Sequence, residues 1–328
     1  MTTAATESTP AVVRVPKEAT TVTITAISAS SADSQLTFVG ELPDGWSIAE
    51  QIPTDINAKD GHLTHQFTIE MTENTAEELR NCTFKLNNIF EPSANVTFTL
   101  SQDRPVVNPL KYVAEYNLLS PGVFATEQSI ERDKNGYFTR EQVKSGTLAP
   151  AGYHMAGVDE FVSIITKSNV FADASNHAEA NVIIHGKTIS DATYDSKKVG
   201  YKLAYVLRFK DSDGQSSENT CAFRYEFEQI TGLTITCRAL GSSFSGDINT
   251  ISNESYWTDH AENNIIRFFP SCGRLNNGLL EDDGKRASSW TCSISRSFSY
   301  YFFGAFGFSY ISSLGLPDVA LPVRVFRD

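Results

Sequence analysis

The stretch Cys221-Ala-Phe-Arg-Tyr-Glu-Phe-Glu-Gln-Ile-Thr-Gly-Leu-Thr-Ile-Thr-Cys237 alternates apolar and polar side chains on both sides of a short polar break. Such alternation places successive side chains on opposite faces of a sheet and is typical of antiparallel strands. It predicts a β-hairpin with both cysteines on the apolar face. A five-residue loop from Phe227 to Thr231 would set Cys221 opposite Cys237, where either a disulfide or two reduced core cysteines would fit.

The pattern around this hairpin is that of a β-rich unit with short helices. Thr139 and Gln142 have the spacing of a capping box, and Gly146 stands where a short helix would end. Apolar residues at i, i+3, i+4 and i+7 predict an amphipathic helix over 157–167. Further strands are expected over 202–209, 220–228, 233–239, 265–269, 298–303 and 321–326, and the aromatic run from Phe298 to Phe306 is interpreted as a central strand buried on both faces.

Residues 11–104 repeat the same alternation in short segments. Phe67, Ile69 and Met71 fall on one face, and turn residues such as Pro43-Asp44-Gly45 separate the segments. Five to seven short strands without a good helix predict a two-sheet sandwich. Trp46, which follows the Pro-Asp-Gly turn, is expected to cap that sandwich.

A proline-flanked stretch divides the two patterns, because two prolines favour extended chain. The predicted organisation is a polar tether over 1–10, a β-sandwich over 11–104, a linker over 105–110 and a second domain over 111–328. The fold class is therefore mainly β, with a two-sheet sandwich followed by an α+β domain.

Composition restricts the classes of function. The chain has 328 residues, 27 basic and 39 acidic, for a net charge of −12, and such a surface repels nucleic-acid phosphates and anionic lipid. No segment is apolar over the length needed to span a bilayer. The polar start resembles a tether, so we expect that an export signal or lipid-anchor cysteine has been removed. A cytoplasmic protein with a polar terminus is the alternative.

Catalytic and metal-binding patterns are not found in the sequence. The six histidines show no His-Glu-x-x-His spacing, and there is no Gly-x-Ser-x-Gly elbow. For His154 a structural hydrogen bond is favoured over acid–base chemistry. Glu131, Asp133 and Asn135 have part of the spacing of a calcium loop, but an ordinary turn explains it better. We therefore expect no enzyme activity, no cofactor and no metal.

Aromatic residues in a polar segment give the candidate ligand site. Sugar rings stack their apolar faces on Trp and Tyr, while carboxylates and imidazoles bind the hydroxyls. Within 252–264 the sequence offers four such residues, Tyr256, Trp257, Asp259 and His260. The alternative for Trp257 is a buried anchor of the loop.

The second domain carries an ordered series of motifs that resembles the Fibrobacter succinogenes major paralogous domain, of the C-type-lectin-like and formylglycine-generating-enzyme-like fold group. The motifs are Tyr112–Asn117, Asn135–Thr139, Gly152–Phe161, Phe269–Gly284, Ser289–Ser293 and Pro322–Asp328. The sequence departs from the family pattern at Ala156, Phe161 and Val325. The resemblance implies a C-type-lectin-like fold, loops that meet the ligand, and a core position for Trp290.

The first domain resembles a BACON domain, the immunoglobulin-like module of Bacteroidetes surface proteins, through Gly45-Trp46, Asn74–Asn81 and Val96–Gln102. Together the two resemblances imply a non-catalytic, extracytoplasmic adhesin, such as a fimbrial accessory or tip subunit or a surface lipoprotein of the outer membrane. Its expected partner is a glycan or a surface protein. The alternatives are a structural pilus component without glycan binding, whose first strand near Val12–Val15 would be exchangeable, and a phage receptor-binding protein.

Overall fold

The computed structural model describes residues 11–28, 34–49, 52–57, 62–76, 78–88, 95–166, 177–179, 181–228, 230–291, 299–304, 307–312 and 318–328. The protein is mainly β, with 46% of its residues in strands and 13% in helices. This confirms the mainly β class predicted from the alternation. The chain divides into two compact units, Met1–Pro105 and Val106–Asp328.

The first unit is built from short strands in two sheets. Its strands are β1 (Ala11–Val15), β2 (Thr20–Ser28), β3 (Ser34–Val39), β4 (Trp46–Ile48), β5 (Ile52–Asn57), β6 (His62–Met71), β7 (Arg80–Asn88) and β8 (Val96–Gln102). One sheet has the order β1-β8-β7-β3, and the other has the order β2-β6-β4, with β5 also paired to β6. Strand β1 runs parallel to β8, while the other neighbours are antiparallel.

The core of the first unit lies between these sheets. Phe67, Ile69 and Met71 are buried, as the alternation predicts, and they pack with Phe84 and Leu100 of the facing sheet. The polar residues between them point outward, because successive side chains of a strand lie on opposite faces. The sequence period therefore determines which residues form this core.

Trp46 is buried at one end of the first unit and ties the two sheets together. Its indole N–H donates to Oε1 of Gln102 over 3.0 Å, and its ring stacks on Phe84 with centroids 6.4 Å apart. The Gln102 amide in turn donates to the carbonyl oxygens of Lys17, Glu18 and Thr72. A buried indole needs such a partner for its N–H, so the side chain of Gln102 fixes the tryptophan in place.

The second unit contains the remaining strands and helices. The strands are β9 (Leu118–Ser120), β10 (Val123–Phe124), β11 (Phe138–Thr139), β12 (Tyr153–Met155), β13 (His177–Ala178), β14 (Val182–Ile184), β15 (Lys187–Ile189), β16 (Thr193–Val199), β17 (Leu203–Lys210), β18 (Cys221–Glu228), β19 (Gly232–Ala239), β20 (Asn264–Pro270), β21 (Arg274–Asn276), β22 (Leu279–Glu281), β23 (Arg286–Thr291), β24 (Ser299–Gly304), β25 (Gly307–Ser312), β26 (Val319–Leu321) and β27 (Val325–Arg327). The helices are α1 (Arg140–Lys144), α2 (Val158–Ile164), α3 (Ile248–Ile251) and α4 (Glu254–Thr258).

A six-stranded antiparallel sheet forms the centre of this unit, with the order β13-β16-β17-β18-β19-β20. Smaller sheets surround it, with the orders β10-β9, β11-β26-β21-β22, β12-β27, β14-β15 and β23-β24-β25. Strand β24 is central in its three-stranded sheet, as predicted for the aromatic run. The ends of that run, Phe298 and 305–306, lie outside the described residues.

The local signals for the first two helices are confirmed. Thr139 accepts from the backbone N–H of Gln142, and the Gln142 side chain accepts from the N–H of Thr139, which completes the capping box before α1. Gly146 follows with φ of 70°, a conformation that glycine adopts without a steric cost. Helix α2 lies within the predicted span 157–167 but is shorter, because Ile165 is already extended.

The β18–β19 hairpin forms, but its register differs from the prediction. Cys221 pairs with Ala239, and Cys237 pairs with Phe223. The strands run on to Glu228 and Gly232, so the turn is shorter and lies further along the chain than the predicted loop. The two cysteines are therefore diagonal neighbours, and both are free thiols, so the disulfide alternative for Cys221 and Cys237 is wrong.

The segment predicted as a linker, 105–110, mostly belongs to the second unit. Leu110 is fully buried, and Val106 and Val107 pack against the same core. The Asn108 side chain caps the 3-10 turn Pro109–Tyr112 and donates to the Cys237 carbonyl over 2.8 Å. The backbone is still extended at Asn108, as the following proline favours, while the apolar side chains on either side pack into the core.

Among the described residues of the second unit, Arg208 and Arg324 are fully buried. Arg208 pairs with the buried carboxylate of Glu179 and also donates to the carbonyls of Val162 and Ser163, which fastens α2 to the sheet. Arg324 has four neutral oxygen acceptors, from Asn117, Ala114, Glu115 and Phe268. Trp290 is likewise buried, in agreement with the core position predicted for it, and donates to the Phe138 carbonyl over 2.7 Å.

Candidate functional site

The two faces of the six-stranded sheet have different surroundings. One face is buried in the main core, where Phe223, Tyr225 and Ile235 pack against α2 and β14. The opposite face carries the alternate residues of the same strands. That second face is only partly covered, and it holds the candidate site.

Strand register arranges the second face in three rows. The inner row is Asp195, Leu207, Ala222, Arg238 and Asn264; the middle row is Lys197, Tyr205, Arg224, Thr236 and Ile266; the outer row is Val199, Leu203, Glu226, Thr234 and Phe268. Each row crosses five strands, from β16 to β20. Directly opposite side chains in a sheet lie close enough to interact, so each row is a continuous strip of surface.

Helices α3 and α4 cover the inner row and part of the middle row. Ile251 and Trp257 form a small buried cluster with Tyr205, Leu207 and Ala222. The indole N–H of Trp257 donates to the Ile251 carbonyl over 2.7 Å, which fixes the second helix against the first. The exposed fraction of Trp257 is only 3%. Trp257 is therefore an anchor of the loop, and its proposed role as an exposed sugar platform is wrong.

Arg238 holds the chain that returns from α4 to the sheet. Its Nη2 donates to the carbonyls of Trp257, Asp259 and His260, and its Nε donates to Oδ1 of Asn264 over 2.9 Å. The guanidinium also lies over the Tyr256 ring, 4.5 Å from the centroid. A buried guanidinium is stable where its planar donors meet fixed oxygens, so this contact sets the shape of the loop.

The other three predicted binding residues, Tyr256, Asp259 and His260, differ in how far their side chains are exposed to solvent. Tyr256 is half-buried, burial raises its pKa to about 12, and its hydroxyl has no hydrogen-bond partner among the described residues. Asp259 and His260 are exposed, and His260 lies in the left-handed region at φ of 60° with Nδ1 3.4 Å from Oε1 of Glu262. The structure thus places Asp259 and His260 on the surface and Tyr256 and Trp257 beneath it.

The outer row lies beyond the helices and is open to solvent. Val199 at one end is 49% exposed, Ile266 in the adjoining row is 56% exposed, and Leu203, Thr234 and Phe268 are half-buried. We call the outer row together with Lys197, Arg224 and Ile266 the platform. It presents apolar surface, a hydroxyl and charged groups on one rigid sheet, with α3 and α4 along one side.

Arg224 lies at the middle of the platform between two carboxylates. Its Nη2 donates to Oε1 of Glu226 over 2.8 Å, and its Nη1 donates to Oε1 of Glu254 on α4 over 3.0 Å. Its Nε is buried and has no hydrogen-bond partner among the described residues. The three groups hold each other in fixed positions, and both carboxylates keep oxygens that can accept from a ligand hydroxyl.

Lys197 joins the platform to α3. Its ammonium donates to Oδ1 of Asn249 over 3.0 Å and to Oγ of Ser252 over 3.1 Å. Both acceptors are neutral. The lysine is exposed, so its charge remains available at the edge of the platform.

Sequence reasoning missed the platform although its signal was present. Arg224 and Glu226 alternate with the buried residues Phe223, Tyr225 and Phe227 in the same hairpin that decides the fold. When charged residues alternate with apolar ones along a strand, the charged side chains usually face solvent and have no further role. Only the pairing of five strands shows that these charges share a surface with Phe268 and Leu203, which are distant in the sequence.

The other sequence hypotheses concern single residues. The Asn135 side chain donates to the Ser129 and Glu131 carbonyls, and its oxygen accepts from Asn117, which is the geometry of an ordinary turn. Asp133 is exposed beside it. Over the described ranges no cluster of three or more His, Cys, Asp or Glu side chains could hold a metal.

His154 has carboxylates on both ring nitrogens. Nε2 lies 2.8 Å from Oε1 of Glu160, and Nδ1 lies 2.8 Å from Oδ1 of Asp328. The Glu160 hydrogen bond is the main cause that raises the pKa of His154 to about 9, against a smaller opposing effect of burial. The imidazole is held as a cation between two anions, which is a structural arrangement, as the sequence predicted.

Comparisons with known proteins place the chain in a family. The fold described so far is a mainly β protein of two units with an open sheet face in the second. The family described as "Domain of unknown function (DUF8237)" matches residues 105–326, so the chain belongs to that family. No curated protein matches the chain. No helix within the described ranges is long and apolar enough to cross a membrane.

Two solved structures show distant similarity. A Bacteroides ovatus GH5 xyloglucanase in complex with a XXXG heptasaccharide is 12% identical with a TM-score of 0.22, over 52% of this chain and 28% of that one. The secreted serine protease VesC from Vibrio cholerae is 9% identical with a TM-score of 0.20, over 96% of this chain and 45% of that one. The chain spans less than half the length of either protein.

Proposed function

We propose that this protein is a non-catalytic, exported binding protein whose second unit binds a glycan on the platform. In this proposal the first unit is an immunoglobulin-like, BACON-type spacer and the second a C-type-lectin-like recognition unit, attached at a bacterial surface or fimbrium. The motif series of the second half supports these assignments. The observation that carries the binding role is the open row from Val199 to Phe268.

The chemistry of that row suits a sugar better than a flat apolar partner. Phe268 and Leu203 offer apolar surface to the C–H face of a ring, while Thr234 lies between them in the row. The carboxylates of Glu226 and Glu254 can accept from ligand hydroxyls because Arg224 already fixes their positions. A rigid sheet loses little conformational entropy when it binds, which favours recognition on this face.

A non-catalytic role agrees with the groups at the platform. Each carboxylate there is paired with Arg224, and the pair of free carboxyls that hydrolyses glycosides is not formed by Glu226 and Glu254. His154, the histidine with the most strongly raised pKa, is engaged on both ring nitrogens. Release of soluble sugar from a bound polysaccharide would contradict this part of the proposal.

A glycan array probed with the full chain tests the proposal, using Thr234→Trp as the blocking variant. The bulky ring would fill the centre of the outer row, so we expect at least tenfold weaker binding. Thr126→Trp, on an exposed loop, adds the same side chain elsewhere and should bind like the parent protein. The platform would not be the site if Thr234→Trp bound as well as the parent protein. If binding were lost only in the double variant Asp259→Ala, His260→Ala, the site would be the loop after α4.

One observation favours a structural role as the second candidate. Strand β1 is an edge strand with parallel pairing to β8, and its Val12 is exposed. An open edge strand can pair with another chain. A pilus component would form linear assemblies of the purified chain that disappear when residues 1–15 are deleted, whereas a glycan receptor would not need them.

A further inference from the structure

The hairpin between β16 and β17 carries the most exposed aromatic side chain of the described residues. Tyr201 at its tip is 83% exposed, and Val199 beside it is half-exposed. The tip is fixed, because the N–H of Phe227 donates to the Lys202 carbonyl over 2.8 Å and Val199 pairs with Leu203. The tyrosine therefore stands at a defined position at one end of the outer row.

Positive charge is concentrated at the same place. The segment Lys197-Lys-Val-Gly-Tyr-Lys202 has three lysines in a chain with a net charge of −12. The Lys197 ammonium has only neutral partners, Asn249 and Ser252, among the described residues. Lys202 is exposed, and within the described ranges its ammonium makes no hydrogen bond or ion pair. Lys197 thus stands at the platform edge without a carboxylate to balance it, whereas Lys202 lies opposite Phe227 on the other face of the sheet.

The carboxylates of the platform do not cancel this charge locally. Glu226 and Glu254 both face Arg224, on the interior side of the row. The surface therefore combines acceptors for hydroxyl groups at its centre with the Lys197 cation and an aromatic ring at its edge. This combination resembles neither a uniformly basic surface for phosphate backbones nor a uniformly apolar one.

We propose that the ligand of the platform is an acidic glycan, with uronate residues, and that the β16–β17 hairpin supplies its acid recognition. The inference rests on the proposed function and names its substrate class. A uronate ring stacks on Tyr201, its carboxylate pairs with Lys197, and neighbouring hydroxyls donate to Glu226 and Glu254. An acidic peptide fits less well, because its carboxylate side chains offer no ring hydroxyls to donate to those two carboxylates.

The test compares each acidic polymer with its own neutral form. The full chain is applied to immobilised polygalacturonate, alginate and hyaluronan and to the same polymers after carboxyl reduction, which keeps the rings and removes the charge. We expect binding to at least one acidic form, loss of binding after its reduction, and weaker binding at higher salt. Soluble polyglutamate is the competitor that represents an acidic peptide.

Variants at the tip assign the contacts. Lys197→Gln should weaken binding to the acidic polymer roughly tenfold, since it removes a charge-assisted contact. Tyr201→Ser should weaken binding to a similar degree through loss of stacking. Lys202→Gln removes the same charge on the other face of the hairpin and should change binding much less. Lys144→Gln on α1 removes the same charge away from the platform and should bind like the parent protein. Unchanged melting temperatures show that the exposed tip variants remain folded.

The outcomes separate this inference from the proposed function. Equal binding to acidic and reduced polymers, or wild-type binding by Lys197→Gln, overturns the acidic-glycan assignment while leaving a glycan platform. Complete competition by polyglutamate overturns it in favour of an acidic peptide. Binding to no acidic polymer also overturns it, and a chain that binds no glycan of any kind refutes the proposed function as well.

Discussion

Nδ1 of His154 lies 2.8 Å from Oδ1 of Asp328, the last residue of the chain. The backbone N–H of Asp328 also donates to the Gly152 carbonyl over 3.1 Å. Because His154 is bonded on its other nitrogen to Glu160, the imidazole connects the chain after β27 with the first turn of α2. Two motifs far apart in the sequence are held together by one protonated side chain.

This arrangement predicts a stability contribution that depends on pH. The pKa of His154 rises from 6.5 to about 9 on folding, so its contribution is fully present below pH 6.5 and is lost as the pH rises through about 9. Since the side chain is over a third exposed, we expect only about 1 kcal/mol after screening by solvent. His154→Gln should melt below the parent protein at low pH and converge with it above pH 9.

His260→Gln is the matched control for that experiment, because His260 is exposed and lies in the loop after α4. Its melting temperature should follow that of the parent protein at every pH. A constant difference between His154→Gln and the parent protein across the whole range would show that the histidine acts through packing and not through its charge.

The buried pair of Arg208 and Glu179 predicts a large loss of stability on removal of one partner. Glu179→Gln leaves a buried guanidinium without its counter-charge, which costs about 3–5 kcal/mol. Urea unfolding measures this change. Glu141→Gln, which breaks the exposed pair with Lys144, should change the free energy of unfolding by less than about 0.5 kcal/mol. Similar effects of the two variants would contradict the assigned burial.

The free thiols predict slow chemical modification of the folded protein. Cys82, Cys221, Cys237 and Cys272 are buried, and burial raises the pKa of Cys237 well above its usual value and that of Cys272 to about 12. Thiolates are the reactive form, so iodoacetamide should leave these four residues unmodified until denaturant is added. Mass spectrometry of proteolytic peptides measures how much of each cysteine has been alkylated. A Cys221–Cys237 disulfide under non-reducing conditions would contradict the structure.

Two glycines next to hairpin turns, Gly232 and Gly200, should differ in how much stability the protein loses when alanine replaces them. At Gly232, with φ of 145°, an added Cβ would collide with the Phe269 carbonyl and the Pro270 backbone. At Gly200, with φ of 66°, an added Cβ would meet open space. Gly232→Ala should therefore cost about 3 kcal/mol or more, and Gly200→Ala about 1 kcal/mol, in chemical denaturation. Equal costs would show that the backbone angle alone matters.

Local signals in the sequence predicted the elements that depend on neighbours along the chain. The capping box at Thr139 and Gln142 and the alternation through Phe67 and Ile69 are confirmed, because each is decided by residues within a few positions. The hydrogen-bonding role of His154 was also predicted, although its second partner, Asp328, was not.

The features that the sequence did not predict depend on the pairing of strands that are distant in the chain. The hairpin register shifted because the turn is shorter than the loop inferred from composition, and this moved Cys237 opposite Phe223. Trp257 turned inward because α3 and α4 had an apolar strip of sheet to cover, a strip that exists only after β17 and β18 pair. The platform combines residues from five strands, which no short window of sequence brings together.

Arg238 holds the loop after α4 by donating hydrogen bonds to the main-chain oxygens of Trp257, Asp259 and His260. Main-chain atoms are common to all amino acids, so the contour of that loop is insensitive to the identity of the outward side chains it displays. Asp259 can therefore be replaced without loss of the loop's shape while Arg238 and Asn264 persist, whereas the left-handed backbone at His260 restricts that position to residues that tolerate a positive φ. A designer could use the same freedom to graft new side chains onto an unchanged backbone.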